Sequence, residues 1–238
     1  MLSLRNFALL IFLIFSGDAK ASQTLTFSSL EDGRATTVVA EKVLTLAYAK
    51  LGIELHFIPM PPKRTEYMWE TKQLDGISVR VFDPYLHHTI KVNVPITSTE
   101  IAAFVRDKNL PIKKYLDLKP YRVGFAKGFT IFEDRLKEIP TTDPATDQRT
   151  LFKLLAIGKT DVVVDASYSQ CAVKKLELEK EIFMLEPTLE KILGYHYLHA
   201  RHQHLIAKLE KELKKLTDDG TIQRIQKQTN LMIQNQCH

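Results

Sequence analysis

The feature that most constrains the fold is an alternation of strand-like and helix-like segments near the start of the chain. Residues 24–80 spell strand, helix, strand, helix, strand. The first helix has apolar residues at helical spacing and ends at Gly52, a residue suited to a helix C-terminus. Strands joined by helices in this order pair in parallel, so the pattern predicts an open α/β sheet with flanking helices.

The same order returns later in the chain. The second set comprises a strand over 121–125, a helix over 128–136, an extended piece over 138–141, a helix over 148–157 and a strand over 161–165. The C-terminal third adds a strand over 192–198, an amphipathic helix that ends at Gly220, and a short helix from Thr221 to about residue 227. The repeated plan predicts two α/β lobes.

The first residues have the features of a cleavable signal peptide. Arg5 provides the positive charge, residues 7–15 are nine apolar residues, and Ala19 and Ala21 form the small-x-small cleavage pattern. The alternative is an uncleaved anchor, but a helix needs about 20 apolar residues to cross a bilayer. We expect residues 1–21 to be removed and the mature protein to be periplasmic and soluble.

Composition excludes some partners and permits one crosslink. The 33 basic and 28 acidic residues give a net charge of +5 and are interspersed, whereas nucleic-acid binding favours a dense basic stripe. We therefore expect no nucleic-acid partner, and we expect a monomer. Cys171 and Cys237 are the only cysteines. They permit one disulfide in an oxidising compartment, with two free thiols as the alternative.

Ligands of open parallel sheets bind beyond the carboxyl ends of the strands, where loops and helix N-termini converge. In this chain that rule selects two groups of residues. They are Glu31, Arg64 and Arg80 in the first lobe, and Phe129, Thr130, Asp165 and Tyr168 in the second. We predict that these residues bind the ligand.

Arg80 and Asp165 stand out because each is a charge at the end of an apolar strand. A guanidinium suits a carboxylate or another planar acceptor, although Arg80 could instead form a structural salt bridge. Asp165 could accept from an amine or hydroxyl of the ligand, or cap the following helix. Thr130 opens a helix that would face an anionic group, and Phe129 could stack on the ligand or pack in the core.

No segment predicts catalysis, a metal or a cofactor. The four histidines between His196 and His204 lack a carboxylate or cysteine at a recognisable metal-binding spacing, so a packing or solvated role is predicted. The sequence contains no P-loop, Gly-x-Ser-x-Gly or His-Glu-x-x-His pattern. We expect a protein that is not an enzyme and that needs no cofactor.

A series of short phrases resembles the amino-acid-binding type of periplasmic solute-binding proteins (bacterial extracellular solute-binding protein family 3). The phrases occur in the family's order over nearly all of the mature chain. They are Leu51-Gly-Ile-Glu-Leu, Leu74-Asp-Gly, the segment 116–124, Lys127-Gly-Phe-Thr, the segment 158–165, and the segment 216–222.

The resemblance implies a type II periplasmic-binding-protein fold with the ligand between the lobes. Lobe 1 would hold residues 22–100 and 191–238, and lobe 2 would hold residues 101–190. It also implies that Thr130 and Asp165 occupy ligand positions. One departure concerns the family's carboxylate-binding arginine, which is missing from the matching stretch 83–88. Arg80 could take over that contact.

The expected function is capture of a small polar molecule, amino-acid-like or carboxylate-bearing, by hinge closure. The closed form would be read by an ABC importer or a membrane sensor. Two alternatives stay open, because a fold does not fix function. One is a ligand-free interaction or sensing module, and the other is a dehydratase-like periplasmic enzyme on the same scaffold.

Overall fold

The computed structural model describes residues 23–30, 34–81, 86–127, 130–235 and 237. The predicted signal peptide therefore lies outside the described residues, as do Glu31 and Phe129. Thr130 is described as the first residue of a helix, without its side chain.

The elements from β1 to β3 follow the predicted alternation of strands and helices, and two further strands come after them. They are β1 (Gln23–Ser29), α1 (Ala35–Ala49), β2 (Ile53–Pro59), α2 (Pro62–Glu70), β3 (Gly76–Arg80), β4 (Thr89–Lys91) and β5 (Thr97–Val105).

The remaining elements begin with a 3-10 turn (Tyr115–Leu118). After it come β6 (Val123–Ala126), α3 (Thr130–Arg135), β7 (Thr142–Ala145), α4 (Gln148–Ala156), β8 (Val162–Ala166), a 3-10 turn (Ser167–Ser169), α5 (Gln170–Lys175), β9 (Phe183–Met184), β10 (Glu190–His199), a 3-10 turn (Ala200–Leu205), α6 (Ile206–Asp218) and α7 (Thr221–Asn235).

Local sequence explains the best-defined elements. Along α1, Val39, Val43 and Ala47 recur every four residues and are fully buried, so one face of the helix packs on the sheet. Gly52 then adopts φ +72°, which a residue with a Cβ rarely does, and the chain turns into β2. β8 is buried on both faces, as expected for a continuous apolar run in a parallel sheet.

The strands form one continuous path in the order β2-β1-β3-β10-β5-β8-β6-β7. The pairs β1–β2, β1–β3, β6–β7 and β6–β8 are parallel. Strands β5 and β10 are antiparallel to each other and to the strands beside them, and they join the two parallel groups. The predicted α/β class with mostly parallel sheets is therefore confirmed.

The buried side chains form separate clusters on the two sides of β5 and β10. One large cluster joins β1, α1 and the C-terminal helices, with Phe27, Val43 and Leu209 at its centre. Another joins β6, β8 and α3, with Val123 and Val164 buried in it. The exact boundaries of the two lobes stay a prediction.

Two predicted elements differ in position or extent, and strand β5 is an addition to the prediction. Strand β5 was not predicted because its Ile-Ala-Ala-Phe-Val run is buried throughout and lacks the alternation of a half-buried strand. Helix α7 continues to Asn235, beyond the predicted end near residue 227. The extended piece predicted over 138–141 is followed by the observed strand β7, which pairs with β6.

Two further observations concern the whole chain. Cys171 on α5 and Cys237 after α7 are paired, with their Cα atoms 5.1 Å apart, a separation typical of a disulfide. In the part of the chain that the structure describes, no helix combines the length and the apolar character that crossing a membrane requires.

Candidate ligand-binding cleft

The parallel strands β1, β2 and β3 end at the same edge of the sheet. Ser29 at the end of β1 pairs with Pro59 at the end of β2, and β1 also runs parallel to β3, which ends at Arg80. The N-terminus of α1, preceded by Arg34, follows the first of these strands. These strand ends are where the strand-exit rule places a ligand.

The second group has the same arrangement. β6 runs parallel to both β7 and β8, and these strands end at Ala126, Ala145 and Ala166. Helices α3 and α4 begin after β6 and β7, and the 3-10 turn with Tyr168 follows β8.

Strands β5 and β10 fix where the two charged strand ends lie. Arg80 pairs with Tyr195 on β10, and the neighbouring Gly194 pairs with Thr97 on β5. Further along β5, Ala102 pairs with Asp165. Ala102 is five positions after Thr97 along β5, a span of about 17 Å at the usual rise of ~3.4 Å per residue. The backbones of Arg80 and Asp165 therefore flank the crossing strands from opposite sides.

Asp165 is a buried carboxylate whose two oxygens both accept hydrogen bonds. Its residue is 5% exposed. Its Oδ1 accepts from the Ala166 backbone N–H at 2.8 Å, and its Oδ2 accepts from Gln148 Nε2 at 2.8 Å. The same Gln148 nitrogen donates to Ser169 Oγ at 2.7 Å. Among the described residues, no ion pair involves Asp165.

The electrostatics of Asp165 reflect a charge removed from water. Burial raises its pKa above the ordinary aspartate value. The hydrogen bonds from Ala166, Gln148 and Ser169 oppose that rise, and so does the positive charge of Arg34. Arg34 precedes α1 in the first group of elements, so this electrostatic interaction joins the two groups.

Arg80 is half-buried at the end of β3. Its Nη1 donates to the neighbouring Val79 carbonyl at 2.9 Å, which holds the guanidinium close to its own strand. It has further contacts beyond this bond. The placement is compatible with an anion site at this edge of the sheet.

The other predicted site residues are placed less centrally. Arg64 is exposed in the first turn of α2. Tyr168 is half-buried and packs against the buried cluster that joins β6, β8 and α3. Glu31 and Phe129 are outside the described residues, and the Thr130 side chain is not described.

Sequence reasoning missed three residues around Asp165: Arg34, Gln148 and Ser169. The strand-exit rule gave a usable signal for Gln148, since it is the first residue of the helix that follows β7. Ser169 lies in the turn after β8, and Arg34 lies at the end of the loop after β1. Their partnership with Asp165 depends on distances between strands that are remote in sequence.

A pocket of about 370 Å³ lies between these groups of elements. Residues of α1, β5, α7 and the turn after β8 line it, including Thr36, Ser98, Tyr168 and Asn230. A larger hollow of about 480 Å³ on the outer face of α4 includes no strand-end residue, so it is not part of the candidate site.

The histidines of β10 and the following turn contact neighbouring groups of the protein. His196 is fully buried and contacts Tyr48 and the Ile77 carbonyl, while His202 Nε2 lies 2.6 Å from Asp75 Oδ1. Within the described ranges, no set of three or more metal-ligating side chains is positioned to hold an ion.

Sequence comparison identifies a relative of this chain but no protein family. No known protein-family description matches the chain. An uncharacterized protein of Shewanella oneidensis is 27% identical over 215 residues, which cover 86% of this chain and 81% of that protein.

Solved structures define the class of fold. The L-cystine solute receptor of Neisseria gonorrhoeae, in its unliganded open conformation, has a TM-score of 0.65 at 15% identity and covers 88% of this chain and 93% of its own. An ancestral cationic amino acid solute-binding protein has a TM-score of 0.65 at 17% identity, covering 86% and 94%. A histidine kinase sensor domain similar to periplasmic binding proteins has a TM-score of 0.64 at 14% identity, covering 86% and 95%.

The chain therefore has the type II periplasmic-binding-protein fold. The resemblance that its sequence phrases indicated is confirmed at the level of the fold.

Proposed function

We propose that this protein is an exported solute-binding protein that captures a small polar molecule between two lobes. The observation that carries the proposal is Asp165, a buried carboxylate at a strand end that no ion pair with a described residue neutralises. A ligand that places an amine or another donor against Asp165 would supply the missing partner.

The energetics of burial support this assignment. An ionised carboxylate removed from water is costly unless hydrogen bonds or an opposite charge compensate it. Gln148, the Ala166 N–H and Ser169 all donate to the Asp165 carboxylate, which has about four acceptor positions, so one position remains for a donor of the ligand. A cationic or donor group of the ligand would complete the shell, while Arg80 would receive an acceptor such as a carboxylate.

The mechanism we propose is reversible hinge closure. Lobe 1 comprises residues 22–100 and 191–238, lobe 2 comprises residues 101–190, and the segments near the ends of β5 and β10 act as hinges. Closure would bring Thr130, Asp165 and Tyr168 towards Arg34, Arg64 and Arg80, with Glu31 and Phe129 in the flanking loops. Water leaving the cleft would strengthen the polar contacts.

The proposed cellular setting is the periplasm, after removal of residues 1–21. The paired cysteines support an oxidising compartment, since disulfides persist there and are rare in the cytosol. We propose that Cys171 and Cys237 are bonded in the mature protein. The mass of the intact chain, lower by two hydrogens than that of the dithiol form, tests this directly.

The partner that reads the closed form is a membrane protein in this proposal. Among proteins of this fold, one neighbour belongs to an amino acid ABC transporter and another is a sensor domain of a histidine kinase. The neighbours named here are binding or sensor proteins. An enzymatic role would be indicated if the captured molecule were converted on incubation with the protein.

The test begins with native mass spectrometry of gently purified protein, to find a co-purified molecule. A panel of amino acids, polyamines and small carboxylates is then screened by thermal unfolding. A saturating ligand should raise stability by about 3–4 kcal/mol. Replacement D165N should weaken binding of that molecule by roughly 10- to 100-fold, because a charge-assisted hydrogen bond is lost. R80A should weaken binding of carboxylate-bearing ligands.

Matched controls separate site effects from general ones. D143N changes an exposed aspartate of β7, and R149A changes an exposed arginine of α4, so both should bind like the unmodified protein. If D165N and R80A bind the identified molecule as tightly as these controls, the site is wrong. If no molecule binds, the capture function is wrong and an interaction module is favoured.

A further inference from the structure

Helix α7 begins as part of the first-lobe packing. Ile222 lies in the buried cluster with the residues of α1. Lys42 Nζ on α1 is 3.4 Å from Oγ1 of the fully buried Thr229 on α7. These contacts fasten the helix along α1, so α7 moves with the first group of elements.

The same helix is hydrogen-bonded to the crossing strand β5. The Ser98 backbone N–H donates to Gln226 Oε1 at 3.2 Å. Gln226 Nε2 in turn donates to the Ser98 carbonyl at 2.6 Å and lies 3.1 Å from Ser98 Oγ. This reciprocal pair acts as an extra sheet-like contact, and it fixes α7 at the place where the chain crosses between the lobes.

The end of the chain is attached to the second group of elements. Cys237, which is 4% exposed, is paired with Cys171 on α5. Cys171 lies two residues after Ser169, the residue that shares the Gln148 amide with Asp165. The C-terminal arm, defined here as α7 together with Cys237, therefore reaches the turn beside the candidate ligand residue.

The pocket of about 370 Å³ shows that the arm spans the gap between the two groups. Both the start of α1 and the segment after β8 line that pocket. The lining includes Ala35 and Thr36 from α1, Ser167, Tyr168, Gln170 and Cys171 from the segment after β8, and Gln226, Asn230 and Gln234 from the arm. Lobe opening that separates the start of α1 from the segment after β8 would pull Cys171 away from the arm.

We propose that the Cys171–Cys237 bond makes the C-terminal arm a strap that limits how far the lobes open. The strap holds the turn with Tyr168 and Ser169 close to α1 in the ligand-free protein. The inference rests on the two-lobed hinge of the proposed function, but it concerns the range of that hinge and not the identity of the ligand.

The length of α7 determines how much lobe movement the bond would restrict. From the hinge contact at Gln226 to the helix end at Asn235, α7 extends about 14 Å at ~1.5 Å per residue. A hinge rotation of about 15° across that radius would displace the far end by ~4 Å. A disulfide tolerates Cα separations only between about 4.4 and 6.8 Å, so most of that movement would be blocked.

The functional consequence is a ligand-free state that is already partly closed. When only a fraction of molecules is in the binding-competent form, apparent affinity falls by that fraction. A strap that removes wide-open states raises the fraction, and it does so without touching the ligand. Loss of the bond should therefore widen the ensemble of lobe distances.

The experiment measures lobe distance in the full mature protein without ligand. Fluorescent labels are introduced through unnatural amino acids at Lys50, exposed beyond α1, and at Lys159, exposed beyond α4. Single-molecule energy transfer then gives the distance distribution. We expect the C171S/C237S variant to show a broader distribution, shifted relative to the disulfide-bonded protein in the direction of opening.

Two comparisons make the result decisive. The control K175S/Q228S carries two serine changes at exposed positions of α5 and α7 that do not line the pocket, and it keeps the bond. It should match the unmodified distribution. Should C171S/C237S misfold, as judged by circular dichroism, the folded unmodified protein is reduced with a dithiol, which supplies two electrons and two protons, and is measured again.

An unchanged distribution after loss of the bond overturns the strap. Free thiols in the unmodified periplasmic protein also overturn it, because no tie then exists. Neither result alters ligand binding by Asp165, which is measured separately with D165N.

Discussion

At the scale of single residues, His196 shows how burial fixes a protonation state. Its Nδ1 lies 2.7 Å from the Ile77 carbonyl, which can only accept, so Nδ1 carries the proton. Nε2 then accepts from the Tyr48 hydroxyl at 3.0 Å. Burial lowers the pKa of His196 to about 4, against the effect of its backbone hydrogen bonds, and raises that of Tyr48 well above its usual value.

This neutral histidine predicts a loss of stability in acid. Its folded pKa is depressed, so between pH 6.5 and about 4 the unfolded chain binds the proton and the folded protein does not. The free energy of unfolding should fall as pH falls through that window, by up to about 1.4 kcal/mol per pH unit. Urea unfolding at several pH values measures the slope.

The variant H196Q should have a shallower slope, since it cannot take up the proton. H56Q, which changes an exposed histidine on β2, should keep the original slope. Parallel curves for H196Q and the unmodified protein would show that His196 does not titrate in this way.

At the scale of elements, β10 is the strand on which both groups of strands depend. It pairs with β3 and β4 through one stretch and with β5 through another, and Gly194 lies where these pairings meet. A Cβ at Gly194 would lie 2.6 Å from Thr97 Cγ2 and 2.8 Å from Val79 Cγ2. The glycine is therefore required by the close approach of neighbouring side chains.

The substitution G194A should destabilise the protein by about 1–3 kcal/mol, because Thr97 and Val79 would have to move. Val79 precedes Arg80, so the change should also disturb the first-lobe side of the cleft. L193A, at the partly exposed neighbouring position, should stay within about 0.5 kcal/mol of the unmodified protein. Chemical denaturation compares the two, and equal midpoints would contradict the packing argument.

At the scale of the whole molecule, the cysteine pair closes a long loop across the fold. Cys171 and Cys237 are separated by 66 residues, and the loop contains β10, α6 and α7. In the chain-entropy model, a crosslink of this span stabilises the folded protein by about 4 kcal/mol, because it lowers the entropy of the unfolded chain. The proposed bond would therefore contribute to folding stability as well as to the proposed restraint on opening.

This gives a prediction that is independent of hinge motion. C171S/C237S should remain folded but unfold at lower denaturant, with a loss approaching about 4 kcal/mol. K175S/Q228S, with two exposed changes on the same helices, should unfold close to the unmodified protein. A double cysteine variant as stable as that control would mean that the loop closure has no net effect.

The alternation of helices and strands could be predicted from the amino-acid sequence, and so could the strand ends at Arg80 and Asp165. Those features depend on residues close together in the chain: the apolar spacing of α1, the turn at Gly52, and the valines of β8. Such local patterns set which backbone hydrogen bonds and which buried faces are available. They were sufficient to predict the α/β class.

Contacts between residues that are remote in sequence could not be predicted and became visible in the folded protein. The partners of Asp165 come from α4 and from the turn after β8, and the charge of Arg34 reaches it from the other group of elements. The Gln226–Ser98 contact joins positions 128 residues apart. Strand β5 was missed for the same reason, since a fully buried run takes its conformation from the strands beside it and not from its own periodicity.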